Sequence, residues 1–295
     1  MKIRAWGIAP SPKTQNKEDP MKRLPSIILA ILLVIFSGCA ERKEPVTVME
    51  RDEIIIALLD TGISTEAIKT ECVLAGWNYV ANSADTEDRV NHGTAVASVI
   101  LGCESAGVVG MAPEARIVPL VIADKVDGSV ITVTAEQLAD ILRESVDKYG
   151  ASVINVSFGF KTDNEKLRDT VEYVQKRGAL VIAAAGNSGD DSLYYPAAYD
   201  GVISVGSHDK ELRISDFTQQ NVTVDILAPG EDIWLASRNG KTYGARGTSY
   251  ATGFVTAAVY NAWKNAPALS AEEVVASIYA NASAVDGYRI LNTEK

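Results

Sequence analysis

The sequence predicts an α/β fold in three layers, a mostly parallel sheet with helices on both faces. Three observations predict it. From residue 53 onward, short apolar runs alternate with amphipathic stretches, the order expected of βαβ units. The apolar runs are apolar throughout, as in strands covered on both faces. Polar residues of chemical interest fall where those runs end, the edge of a parallel sheet at which ligands bind.

Residues 54–59 are a continuous Ile/Ala/Leu run and read as the first strand, ending at Asp60. Residues 95–101 read as a helix following His92, and 117–122 as a second buried strand. Thr134 opens a helix through Lys148, with Leu138, Ile141, Leu142 and Val146 on one face and Gly150 beyond its end. Residues 153–156 read as a strand leading to Ser157, and 164–176 as a helix closing before Gly178. Strands are expected at 180–184, leading to Asn187, and at 202–205, with β pattern again over 222–227. Residues 249–263 form a long apolar helix and 271–279 a terminal amphipathic one. The domain so defined covers 52–295, with no internal repeat.

The N-terminus reads as a targeting segment. Lys22 and Arg23 precede an apolar stretch over 27–36, right for a signal peptide and short for a membrane span. Small residues then lead to Cys39, and Ser37-Gly38-Cys39 resembles a bacterial lipobox, in which the cysteine is acylated and becomes the mature N-terminus. The alternative is a plain signal anchor. Residues 1–38 are thus expected to be leader and signal peptide, with Met21 an alternative start, and 39–51 a polar tether. A membrane-anchored, extracytoplasmic monomer follows as the expectation. Outside the cytoplasm Cys72 and Cys103 could pair or stay free, and spacing does not decide.

The net charge is −10, and the first 38 residues carry six Lys and Arg against Glu18 and Asp19, so the remainder is at −14. A body so acidic is a poor partner for nucleic acid.

Four residues carry candidate chemistry. Asp60 sits in ALLDTGIS, a carboxylate at a strand end before a glycine turn. The same letters occur in aspartic proteases, and an Asp there can simply cap a turn. His92, in NHGTAVASVI, is one of two histidines; His208, in VGSHDKELR, reads as a solvated loop residue. Ser249, in RGTSYATGF, begins a helix, where a serine is ordinarily a cap but also has free backbone N–H groups beside it. Asn187, in AAAGNSG, is a turn residue or an oxyanion donor.

Together with VINVSFG, YPAAY and VDILAPGEDIW, these segments closely resemble the subtilase family over roughly residues 53–265, including the chain order Asp, His, Ser. The resemblance implies a serine endopeptidase whose triad is Asp60, His92 and Ser249, with Asn187 in the oxyanion hole. It implies that Ser157, Phe158 and Gly159 line the primary specificity pocket, a shallow one suited to apolar residues. Asp127, Gly128, Ser129 and Val130 would supply the opposite edge for an extended peptide or protein substrate.

Some features depart from the family. Gly253 replaces a usual proline, which is expected to loosen the first turns of the helix, and Ala95 replaces a second histidine. The segment 102–109, where the family has a calcium loop, offers Glu104 and Ser105 but no Asp or Asn cluster, so no cofactor is expected to be required. The stretch between Cys39 and the first strand leaves no room for a folding propeptide. Two rivals stand beside the peptidase reading. A DTG aspartic protease would be all-β and have a second catalytic Asp. A catalytically silent surface lipoprotein would keep the fold for binding alone.

Overall fold

The computed structural model describes residues 53–293. The expected leader, tether and Cys39 lie outside them. In chain order the strands are β1 (Ile55–Asp60), β2 (Trp77–Asn78), β3 (Gly102–Cys103), β4 (Val108–Val109), β5 (Arg116–Val121), β6 (Ala123–Val126), β7 (Ser129–Thr132), β8 (Val153–Val156), β9 (Leu180–Ala184), β10 (Ile203–His208), β11 (Ile226–Pro229), β12 (Ile233–Ala236), β13 (Thr242–Ala245), β14 (Ser283–Val285) and β15 (Tyr288–Ile290). The helices are α1 (Gly93–Leu101), α2 (Ala135–Asp147), α3 (Glu165–Lys176), α4 (Thr248–Asn265) and α5 (Ala271–Ala280). These elements belong to one compact unit.

One sheet organises the unit, in the order β14-β15-β11-β10-β9-β8-β1-β5-β2. Its pairings are parallel except for the terminal β14–β15 hairpin. The chain leaves β1 to one side, forming β5, and later returns on the other to form β8. The carboxyl end of β1 is therefore a switch point, where a crevice opens between the two connections.

The period-2 pleat divides the core between two faces. Ile56 and Leu58 pack with residues of α1, α4 and α5, whereas Ala57 and Leu59 pack with residues of α2 and α3. Every residue of α1 is buried, so its sequence is apolar on all sides rather than striped. By contrast α2 and α3 each bury one face, and Thr134 and Asn164 accept hydrogen bonds from Gln137 N and Leu167 N as their N-caps.

Helices α1 and α4 lie against each other. A Cβ on Gly253 would stand 3.0 Å from Val99 Cβ and 3.2 Å from its Cγ1. Gly253 thus permits a close approach between two helices.

Other expectations need correction. The β pattern over 222–227 resolves into a turn followed by β11. Val222 is fully exposed, and Asn221 Oδ1 accepts from Thr223 N and Oγ1 at 3.0 and 2.7 Å. His208 is buried at the end of β10, with Nδ1 2.7 Å from the Asp209 carbonyl, rather than solvated in a loop. Cys72 and Cys103, whose pairing was open, are both buried and form no disulfide. The parallel sheet excludes the all-β architecture that the aspartic-protease reading required.

Candidate active site

Asp60 is the last residue of β1 and is buried. Its Oδ1 lies 2.7 Å from His92 Nδ1 and accepts from Thr61 N at 2.7 Å. Asp60 Oδ2 is buried without a hydrogen-bond partner among the described residues. The pair with Asp60 fixes a proton on Nδ1 and leaves Nε2 to act as a base. His92 is the N-cap of α1, and its side chain is 30% exposed, enough to face a substrate.

Burial works against the charged imidazole, but the charge and hydrogen bond of Asp60 outweigh it, and Asp88 adds to them. The His92 pKa is therefore raised above the ordinary histidine value.

Asp88, which the sequence reading did not single out, builds the frame of this pair. Its side chain is fully buried. Oδ1 accepts from Thr61 Oγ1 at 2.9 Å, Val90 N at 2.9 Å and Asn91 N at 2.8 Å. Oδ2 accepts from Thr94 N at 2.9 Å and Thr94 Oγ1 at 2.7 Å. Thr61 Oγ1 in turn accepts from Gly93 N at 2.8 Å, and Thr94 Oγ1 from Ser64 N at 3.0 Å. One carboxylate thus ties the turn after Asp60 to the first turn of the helix that carries His92. The approach is close enough that a Cβ on Gly93 would lie 2.1 Å from the Gly62 carbonyl oxygen.

Ser249 sits in the first turn of α4, whose N-cap is Gly247 at φ 152°, a conformation few side chains tolerate. The early N–H groups of a helix have no intrahelical partner, so the Ser249 N–H is free to donate. Ser249 Oγ donates to the Ser157 carbonyl at 3.4 Å; the structure gives no hydrogen bond from it to His92. The imidazole is brought to this helix by Tyr250, whose ring centroid lies 5.4 Å from that of His92.

Asn187 is exposed in the loop after β9. Its Oδ1 accepts from Thr248 N at 2.9 Å and Thr248 Oγ1 at 3.1 Å. Since the backbone N–H can only donate, the amide orientation is set and Nδ2 remains as a donor. Ser157 follows β8, and its Oγ donates to Asn155 Oδ1 at 3.0 Å, while Asn155 Nδ2 donates to Thr256 Oγ1 at 2.8 Å. This chain of bonds seats α4 on the centre of the sheet.

A cavity of about 270 Å³ is lined by Ser249, Asn187, Thr248, Ser157, Phe158 and Gly159, together with Ala184, Gly186, Ser188 and Tyr194. Five of these ten positions, Ser249, Asn187, Ser157, Phe158 and Gly159, are the expected nucleophile, oxyanion donor and pocket wall, and the fold brings them to one place.

The remaining expected edge is the β6–β7 hairpin. Asp127 and Gly128, at φ 49° and 85°, form its turn, as the Asp-Gly pair favours. Ser129 and Val130 lie on β7 with both side chains exposed. The base of the hairpin is tied to the site: Ile122 N donates to the Asp60 carbonyl at 2.9 Å, and Asp124 holds Arg89 at 3.0 Å and Asn78 Nδ2 at 2.7 Å. Asp127 to Val130 do not line the cavity. Among the described residues no group of three or more His, Cys, Asp or Glu could hold a metal ion.

The chain is similar to known proteins. The thermophilic serine proteinase of Bacillus sp. (strain AK1) is 36% identical over 201 residues, which are 67% of this chain and 49% of that protein. The chain thus spans about half the length of that relative. The major intracellular serine protease of Bacillus subtilis (strain 168) is 34% identical over 219 residues, 70% of this chain and 67% of that protein. A solved cold adapted subtilisin-like serine proteinase superposes with a TM-score of 0.73 at 25% identity, over 82% of this chain and 89% of that one. The family model described as the subtilase family matches residues 51–294, and on that match the chain belongs to the subtilase family.

Proposed function

We propose that this chain is a serine endopeptidase that hydrolyses peptide bonds through an acyl-enzyme on Ser249. The observation that carries the reading is the Asp60–His92 contact of 2.7 Å beside a cavity bordered by both Ser249 and Asn187. Ser249 Oγ attacks the scissile carbonyl as His92 Nε2 takes its proton. The oxyanion is held by Asn187 Nδ2 and the Ser249 N–H. His92 then protonates the leaving amine, and water releases the acyl group by the same route in reverse. Asp60 stabilises the imidazolium that forms between these steps. Turning Oγ from the Ser157 carbonyl toward His92 precedes attack. The peptide would lie extended between residues 157–159 and the β6–β7 hairpin.

The test is covalent labelling. A fluorophosphonate is expected to label the wild-type chain, and Ser249→Ala is expected to stay unlabelled. A folded wild type without label would leave the silent-lipoprotein reading in its place.

The proposal extends to location. Cys39 in its lipobox-like setting is read as an acylation site that holds a monomeric, metal-independent enzyme at the outer face of a membrane. Metabolic labelling with palmitate should depend on Cys39, and an unlabelled wild type would favour a plain signal anchor. Among the described residues no helix is long and apolar enough to cross a membrane.

A further inference from the structure

The cavity beside Ser249 contains an aromatic ring that no part of the mechanism uses. Tyr194 stands between the two peptide segments that wall the cavity. A Cβ on Gly159, in one wall, would lie 3.3 Å from Tyr194 Cβ and 3.6 Å from its Cδ1. On Gly186, in the other wall, it would lie 2.7 Å from Tyr194 Cδ2 and 3.0 Å from Cε2. The ring therefore spans the slot from wall to wall, so close that a Cβ on Gly186 would collide with it and one on Gly159 would press tightly against it.

The ring is also held in place. Its hydroxyl lies 2.8 Å from Ser188 Oγ. The neighbouring backbone is bridged to the first wall, Phe160 N donating to the Tyr195 carbonyl and Tyr195 N to the Phe160 carbonyl, each at 2.8 Å. Ala198 N donates to the Tyr194 carbonyl at 2.8 Å. Swinging the ring out would break the hydroxyl contact and empty the space between two glycines.

We infer that Tyr194 determines which residue this chain accepts on the acyl side of the scissile bond, by filling the slot so that only short, uncharged side chains seat there. This rests on the peptidase reading above. The same cavity must also hold the scissile carbonyl between Ser249 and Asn187, so a side chain seated there competes with the ring for the space between the walls. No Asp, Glu, Lys or Arg lines the cavity to pair with a charged one.

The test compares otherwise identical peptide anilides with Ala or Phe before the cleaved bond, on the full chain. Wild type should favour Ala in kcat/KM by on the order of 10- to 100-fold, the scale at which a pocket rejects excess bulk. Tyr194→Ala should raise the Phe substrate relative to Ala by a similar factor, with fluorophosphonate labelling reporting that its site is intact. Tyr194→Phe, which keeps the ring and loses only the hydroxyl contact, should keep the preference for Ala. A labelled wild type that cleaves the Phe substrate as well as the Ala substrate overturns the inference and leaves the peptidase reading standing. So does a labelled Tyr194→Ala with the wild-type ratio. A wild type without label removes both. If Tyr194→Ala is itself unlabelled, the wild-type and Tyr194→Phe ratios decide.

Discussion

Asp88 and Thr94 are joined twice, once through the Thr94 backbone N–H and once through its hydroxyl, both to the same carboxylate oxygen. The clamp acts on the helix that begins with His92, two residues earlier. Asp88→Asn puts an amide where five donors now converge on a carboxylate. Charge-assisted bonds of this kind are worth about 1.5–3 kcal/mol each, and an unmet buried donor adds to the loss. We expect a fall in stability of about 3 kcal/mol or more, read by denaturant unfolding. In whatever fraction folds, kcat should drop with little change in KM, because the helix that presents His92 loses its register to Asp60. An Asp88→Asn chain with wild-type kcat would show that the clamp positions nothing.

Thr94→Val separates the two bonds, because it keeps the backbone N–H and removes the hydroxyl. It also leaves Ser64 N without its acceptor. The expected loss is about 1–2 kcal/mol in urea unfolding, smaller than for Asp88→Asn.

The pH profile should place the acid limb of kcat/KM above the ordinary histidine value, since His92 must be neutral to accept the Ser249 proton and its pKa is raised. Stability runs the other way. A raised folded pKa contributes stability that is fully present below the unfolded value of about 6.5 and is lost as pH rises through the folded value. The same residue therefore makes the protein more active and less stable across that window. Parallel rate and unfolding series over pH 5–9 would check it, and an acid limb below 6.5 would contradict it.

Asp60→Asn removes the charge that raises His92, and it disturbs the tautomer. The acid limb should move down, and kcat should fall on the order of 10⁴-fold. Steady-state rates across pH separate the two effects.

Asn187→Ala should lower kcat on the order of 10²- to 10³-fold with KM nearly unchanged, as expected for a donor used only in the transition state. Asn187 also accepts from Thr248 N, so some loss at the start of α4 accompanies it. Asn187→Asp keeps that acceptor, lacks the donor and adds a charge that repels the oxyanion, so a kcat at or below that of Asn187→Ala would assign the effect to Nδ2.

The central strands and the long helices were legible because burial on both faces leaves an unbroken apolar run, as in residues 54–59, and because α2 carries a clear 3.6 period. Asp60, His92, Asn187 and Ser249 were legible through their order and neighbouring letters. Asp88 was not, since a lone carboxylate in a polar loop has no periodicity, and its partners Thr61 and Thr94 flank other motifs. Tyr194 was hidden for a related reason. Its role depends on two glycines, Gly159 and Gly186, that meet only when the sheet brings the loops after β8 and β9 together. His208 was misread because its neighbours are charged, whereas the strand buries it with Nδ1 satisfied by the next carbonyl. Val222 was misread in the opposite sense, as an apolar residue standing on a turn.

The glycine contact between α1 and α4 bears on how the protein fails when heated. With Gly253 seated against Val99, the helix bearing the base and the helix bearing the nucleophile share one tightly closed surface. Sliding one helix along the other would open a void or drive atoms together, which opposes any drift of His92 from Ser249 while the rest of the core survives. Loss of activity on heating should then coincide with cooperative melting of the whole unit instead of preceding it.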